Sequence, residues 1–177
     1  MKTCSLYGFI SALGGAFLTL ILFFMGLHSD PAKLGVSGWV GGLAGLGIAV
    51  ACVALGTKAR RAEVPETESF GYGRALGAGV LISLVASALS SAFVFLYWKF
   101  INPGIADIVV QSQVAKLEAS GVSGDRLDKA EAMTRIMASP GPQAIVALIG
   151  GFVAGVLISL VVAAVLKRAE PQTPPTL

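Results

Sequence analysis

The chain has 177 residues, of which 55% are hydrophobic and only 13% charged, with 22 glycines, a formal charge of +3 and a mean hydropathy of +0.79. A soluble domain carries roughly a quarter charged residues, so this composition excludes an ordinary soluble globule and points to a polytopic membrane protein. The small positive charge is not a nucleic-acid footprint, because basic residues beside apolar spans are explained first by topology.

Four blocks free of Asp, Glu, Lys, Arg and His, at 6–27, 34–57, 75–98 and 142–166, each suffice to cross the bilayer as a helix. The first follows Lys2 like a signal peptide, but its apolar stretch exceeds an h-region and no A-x-A site follows, so it is expected to stay as a span. Cys4 and Cys52 fall near the same end of spans one and two and are expected to remain thiols. His28 and Asp30 stand two apart in the turn His28-Ser29-Asp30-Pro31; with no other ligand near in sequence, a solvated turn is the reading rather than a metal site.

Span two carries Gly38, Gly42, Gly45, Ala49, Cys52 and Gly56 on one helical face. Small residues let helices approach in lipid, so a neighbouring helix is expected along the whole stripe. That neighbour is either within the chain or a second copy or membrane-protein partner. Lys58, Arg60, Arg61 and Arg74 then flank the link to span three, while only Lys33 lies between spans one and two. With Lys2, Lys167 and Arg168, this places both termini in the cytoplasm by the positive-inside rule. Tyr7 and Tyr72 mark inner ends, and Trp39, Tyr97 and Trp98 outer ends.

The heptapeptide GVLISLV opens at Gly79 in span three and again at Gly155 in span four. The spans run oppositely, so Gly79 and Ser83 lie near the depth of Gly155 and Ser159, with Ser87 and Gly151 extending the two small faces. No comparable identity joins spans one and two, so a transporter-type inverted repeat is a weaker account than two helices built for the same close contact.

Between these spans, 104–139 reads as an extracytoplasmic helical hairpin: a helix over 105–119, a break at Gly121-Val122-Ser123-Gly124, and a second, amphipathic helix. Leu127, Ala130, Met133 and Met137 form its apolar stripe, opposite Asp128, Glu131 and Arg135. Leu127, Met133 and Met137 are the candidate partner contact, with docking on the chain's own bundle as the default. Residues 169–177 are proline-rich and expected to be a disordered cytoplasmic tail.

Several of these elements carry a resemblance. Ser69-Phe70-Gly71 leading into a span with GVLISL, Tyr97-Trp98 followed by Asn102-Pro103, the Gly121-Val122-Ser123 break, Met137-Ala138-Ser139-Pro140 and the closing GVLISLVVAAVLKR are similar to bacterial membrane proteins grouped as domain of unknown function 4199. The resemblance implies a four-span bacterial cytoplasmic-membrane protein and supplies no activity, cofactor or catalytic residue.

The expected fold is therefore all-α, a single four-helix transmembrane domain over 1–168. No Ser/His/Asp set, paired carboxylates or phosphate loop is present, so an enzyme is not expected and no cofactor or metal is implied. Ionisable groups at membrane depth, the mark of ion or substrate handling, are also missing from the spans. A structural or accessory protein acting through contacts in the bilayer is the principal reading. A small transporter or channel component lined by Ser83, Ser87 and Ser91 is the alternative.

Overall fold

The computed structural model describes residues 1–167, and the expected tail lies outside them. The element order is α1 (Lys2–Phe24), α2 (Leu34–Ala62), α3 (Tyr72–Leu96), α4 (Ile105–Ala119), α5 (Asp125–Met137) and α6 (Pro140–Leu166), with α3 prolonged by a π turn, Tyr97–Ile101. Four helices are long and apolar enough to cross a membrane: α1, α2, α3 with its π turn, and α6. Their outward faces carry large apolar residues such as Phe17, Leu43, Val161 and Val165, as a bilayer solvent allows.

Local chemistry explains where the helices stop. At the end of α1, Gly26 takes a φ of 73°, while its N–H donates to the Phe23 carbonyl and that of Leu27 to Leu22. This is a Schellman cap, which needs a left-handed residue that glycine supplies without a Cβ clash. Gly121 repeats it after α4 at φ 82°, with Gly121 N–H on Glu118 and Val122 N–H on Leu117. The π turn closes with the Asn102 N–H donating to the Tyr97 carbonyl at 2.8 Å. Pro103 follows, and a residue before proline is pushed out of the helical region; Asn102 has φ −132° and ψ 68°. Ser139 and Pro140 open α6, with proline at the first helical position, where its missing N–H has no cost.

α3 is the central helix, packing most extensively on α6 and also on α1 and α2. The bundle is tightest at the end that carries the termini. There a Cβ added to Gly8 would lie 2.7 Å from Val85 Cβ and 2.8 Å from the Ile82 carbonyl oxygen, and one on Gly56 would lie 2.8 Å from Tyr7 Cβ. Cys4, Val53, Ala78, Ile82 and Val162 form the core at this convergence. Both cysteines are buried free thiols.

The link between α2 and α3 is more structured than a solvated connector. α2 runs on through Arg60 and Arg61 to Ala62, and Phe70, only 1% exposed, packs with Ala75 and Ala163 at the base of α3 and α6. Arg60 pairs with Glu63 at 2.6 Å and Arg74 with Glu68 at 3.0 Å. Thr3 also hydrogen-bonds Glu63, joining α1 to the end of α2.

The stripe on α2 does not receive a helix along its whole length. Its terminus end is closed at Cys52 and Gly56, but Gly38 and Gly42 are exposed and a Cβ on Gly38, Gly42 or Gly45 would meet nothing within 4 Å. The face turned to α1 is offset by about one residue: Gly41 approaches Leu22, Ile48 approaches Gly14, and Ser37 and Cys52 are buried. A one-residue offset is about 100° around a helix, so the glycines border the contact and leave a cleft beside it.

Candidate functional site

The seam between α3 and α6 is built from reciprocal glycine–serine pairs. A Cβ on Gly79 would sit 2.6 Å from Ser159 Oγ, one on Gly155 would sit 2.4 Å from Ser83 Cβ and Oγ, and one on Gly151 would sit 3.5 Å from Ser87 Cβ. Each step of four residues along α3 is met by a step of four in the opposite direction along α6. Ser83 Oγ donates to the Gly79 carbonyl at 2.9 Å and Ser159 Oγ to the Gly155 carbonyl at 2.7 Å, so each hydroxyl is satisfied within its own helix. The two hydroxyls are 3.5 Å apart. Higher up, Ser91 Oγ crosses to the Ala144 carbonyl at 2.8 Å. The repeated heptapeptide thus places a glycine and a serine four apart in each helix, so that the serine of one copy fills the gap left by the glycine of the other.

Beside this seam, where α2 diverges from α3 and α6, lies a cleft of about 510 Å³. Gly42, Gly45 and Ala49 of α2 line it, with Ser11 and Gly15 of α1, Ser83, Ser87 and Ser90 of α3, and Gly151 and Gly155 of α6. It ends on Val53, Ile82 and Ile158, which belong to the core packing. Toward the hairpin it adjoins a second cleft of about 420 Å³ that shares Gly15, Gly42 and Gly45 and reaches His28, Ser37, Gly38 and Trp98. None of the residues lining either cleft is an aspartate, glutamate, lysine or arginine.

The hairpin end of the cleft is organised by Tyr97. Only 2% exposed, Tyr97 is core rather than part of an interfacial girdle, with Phe23, His28 and Phe93 packed around its ring. Its hydroxyl accepts from Asn102 Nδ2 at 3.3 Å and lies 2.7 Å from His28 Nδ1. Burial lowers the His28 pKa, favouring the neutral ring. The 2.7 Å contact ties the His28 ring to the Tyr97 hydroxyl, one of the two being the donor. His28 is therefore half-buried and tied to α3, unlike the solvated turn read from sequence; Asp30 caps that turn by accepting from the Ala32 N–H at 2.9 Å. No group of three His, Cys, Asp or Glu that would hold a metal occurs among the described residues.

The hairpin divides its predicted stripe. Leu127 and Ala130 are half-buried, as is Thr134, whereas Met133 is 63% and Met137 49% exposed, joined by Ile136 at 60%. Arg135 draws α5 onto α4 by its polar side, donating to Asp107 on α4 at 3.0 Å and to Glu131 at 3.3 Å. Those two carboxylates, Glu131 foremost, raise the Arg135 pKa still further above the usual range. The apolar edge Met133, Ile136 and Met137 consequently faces away from the chain.

These features define a multi-pass α-helical membrane protein with a helical hairpin between its last two spans. The chain belongs to the family described as "Protein of unknown function (DUF4199)", whose model matches residues 6–168. No curated protein matches the chain, and neither does any solved structure.

Proposed function

We propose that this is an accessory protein of the bacterial cytoplasmic membrane, acting by contact with a membrane-protein partner or a second copy of itself rather than by catalysis. The observation that carries the reading is the exposed edge Met133, Ile136 and Met137 on α5. A helix beside a membrane bundle has the bundle to dock on, and this one keeps its apolar edge free. Methionine adapts to varied partner surfaces, and exposed apolar patches mark interaction sites. In this reading the termini lie in the cytoplasm and the hairpin on the opposite side. Lys2, Lys58, Arg60, Arg61 and Arg74 support it by gathering at the terminus end of the bundle.

A transporter or channel component has one observation in its favour, since Ser83 and Ser87 line an intramembrane cleft. Their hydroxyls, however, donate to the Gly79 and Leu84 carbonyls, and the cleft ends on core residues. The contact reading is tested by changing Met133 and Met137 to Glu, then measuring stability in detergent and crosslinked partners in native membranes. Unchanged stability with lost partners is expected. Lost stability with unchanged partners would make the edge a structural element of the bundle and overturn the reading.

A further inference from the structure

The paired clefts form an elongated space open along α2, lined mainly by glycines and aliphatic residues with serines of α1 and α3 among them. Each is within the range of about 300–1,000 Å³ typical of small-ligand sites. At the hairpin end Ser37, His28 and Trp98 line it. Ser37 is 4% exposed and its hydroxyl has no hydrogen-bond partner among the described residues. His28 is tied through Nδ1 to Tyr97, which leaves Nε2 as its second ring nitrogen. Trp98 stands beside them. Ser37 thus offers a hydroxyl donor at the cleft wall, and no cation lines the cleft to balance a carboxylate or phosphate.

We infer that the cleft holds one acyl chain of a bilayer glycerophospholipid, with its ester carbonyl accepting from Ser37. An ester is an uncharged acceptor attached to a long apolar chain, which matches a donor without charge at one end and glycines and aliphatics below. The location agrees: Ser37, His28 and Trp98 lie where α1 gives way to α2 and α3 gives way to its π turn, at the end of the spans. A helix from another protein, 10–12 Å across, would leave Ser37 without its acceptor, because helix carbonyls are already engaged within their own helix. The open glycines are then explained, since a side chain at Gly42 or Gly45 would occupy the acyl path.

The test uses the full chain with Trp39→Phe, which leaves Trp98 as the one tryptophan. The probe is a phosphatidylethanolamine brominated near its ester, titrated into delipidated protein in detergent. Saturable quenching of Trp98 is expected, together with one phospholipid retained in native mass spectrometry. Gly42→Leu, whose Cβ would meet nothing within 4 Å, projects into the cleft and should weaken quenching about tenfold or more by steric exclusion. Gly47→Leu, on open surface away from the cleft, should behave as the parent. Ser37→Ala, which leaves the acyl path clear, should weaken binding several-fold. Quenching that never saturates, or that is equal in Gly42→Leu and the parent, would overturn the assignment, as would a site reached only by water-soluble quenchers.

Discussion

Gly155 and Ser83 meet so closely that the smallest possible side chain on the glycine would overlap the serine, at 2.4 Å from both Cβ and Oγ. Gly79 and Ser159 repeat the arrangement about one turn away with the roles of the helices exchanged. Gly155→Ala gains about 1 kcal/mol of helix propensity but overpacks the seam at about 1–3 kcal/mol. A net fall in thermal stability is therefore expected, while Gly150→Ala, which meets nothing, should not show it. The exchange Gly155→Ser with Ser83→Gly should recover most of the loss, because the two changes share one contact. Equal losses in the single and exchanged variants would remove the reciprocal account.

The α2 stripe gives a second contrast. Gly56→Ala places its Cβ against Ile82 and Tyr7 and should destabilise by about 1–3 kcal/mol. Gly42→Ala enters open space, so it should show no loss and gain up to about 1 kcal/mol of helix propensity. Melting curves in detergent decide it, and a larger loss at Gly42 would mean that a helix does lie along that part of the stripe.

His28 supplies a pH dependence with a defined sign. Burial lowers its pKa in the folded chain below the ordinary imidazole value of about 6.5. Below that value the unfolded chain binds the proton that the folded chain resists, so stability is full above pH 6.5 and falls as pH drops toward the folded pKa. Melting temperature should therefore decline as pH is lowered below about 6.5. His28→Gln should flatten that segment; an unchanged slope would show that His28 does not carry it.

Topology is the fourth expectation. Reporter fusions at Val64 and Val122 should report opposite sides of the membrane, with Val64 cytoplasmic. A cytoplasmic signal at Val122 would contradict the orientation drawn from the cations around α2 and α3.

Much of this architecture was legible in the sequence because the bilayer imposes it. Blocks without charge must be helices of spanning length, and the breaks at Gly121 and Pro140 mark where helices end, whereas Gly26, inside the block read as 6–27, ends α1 at Phe24. The sequence was least informative about rotation around each helix axis. Gly38, Gly42, Gly45 and Gly41 are equally small, and which of them meets α1 depends on Leu22, far away in the chain. On α5, a hydrophobic stripe implied burial, but the helix meets α4 through Arg135 and Asp107, and Met133 and Met137 stand exposed. His28 and Tyr97 are 69 residues apart, and no local pattern links them. The one signal was Tyr97 beside a proline-terminated span, which marked an irregular helix end.

The most direct measurement places a photoreactive residue at Ile136, on the free edge of α5, and another at Glu118, exposed on α4, in native membranes. Contact through the α5 edge predicts a discrete protein adduct from Ile136, another copy of this chain or a different membrane protein, and none from Glu118. Adducts with lipid alone from Ile136, or the same adduct from both positions, would contradict it.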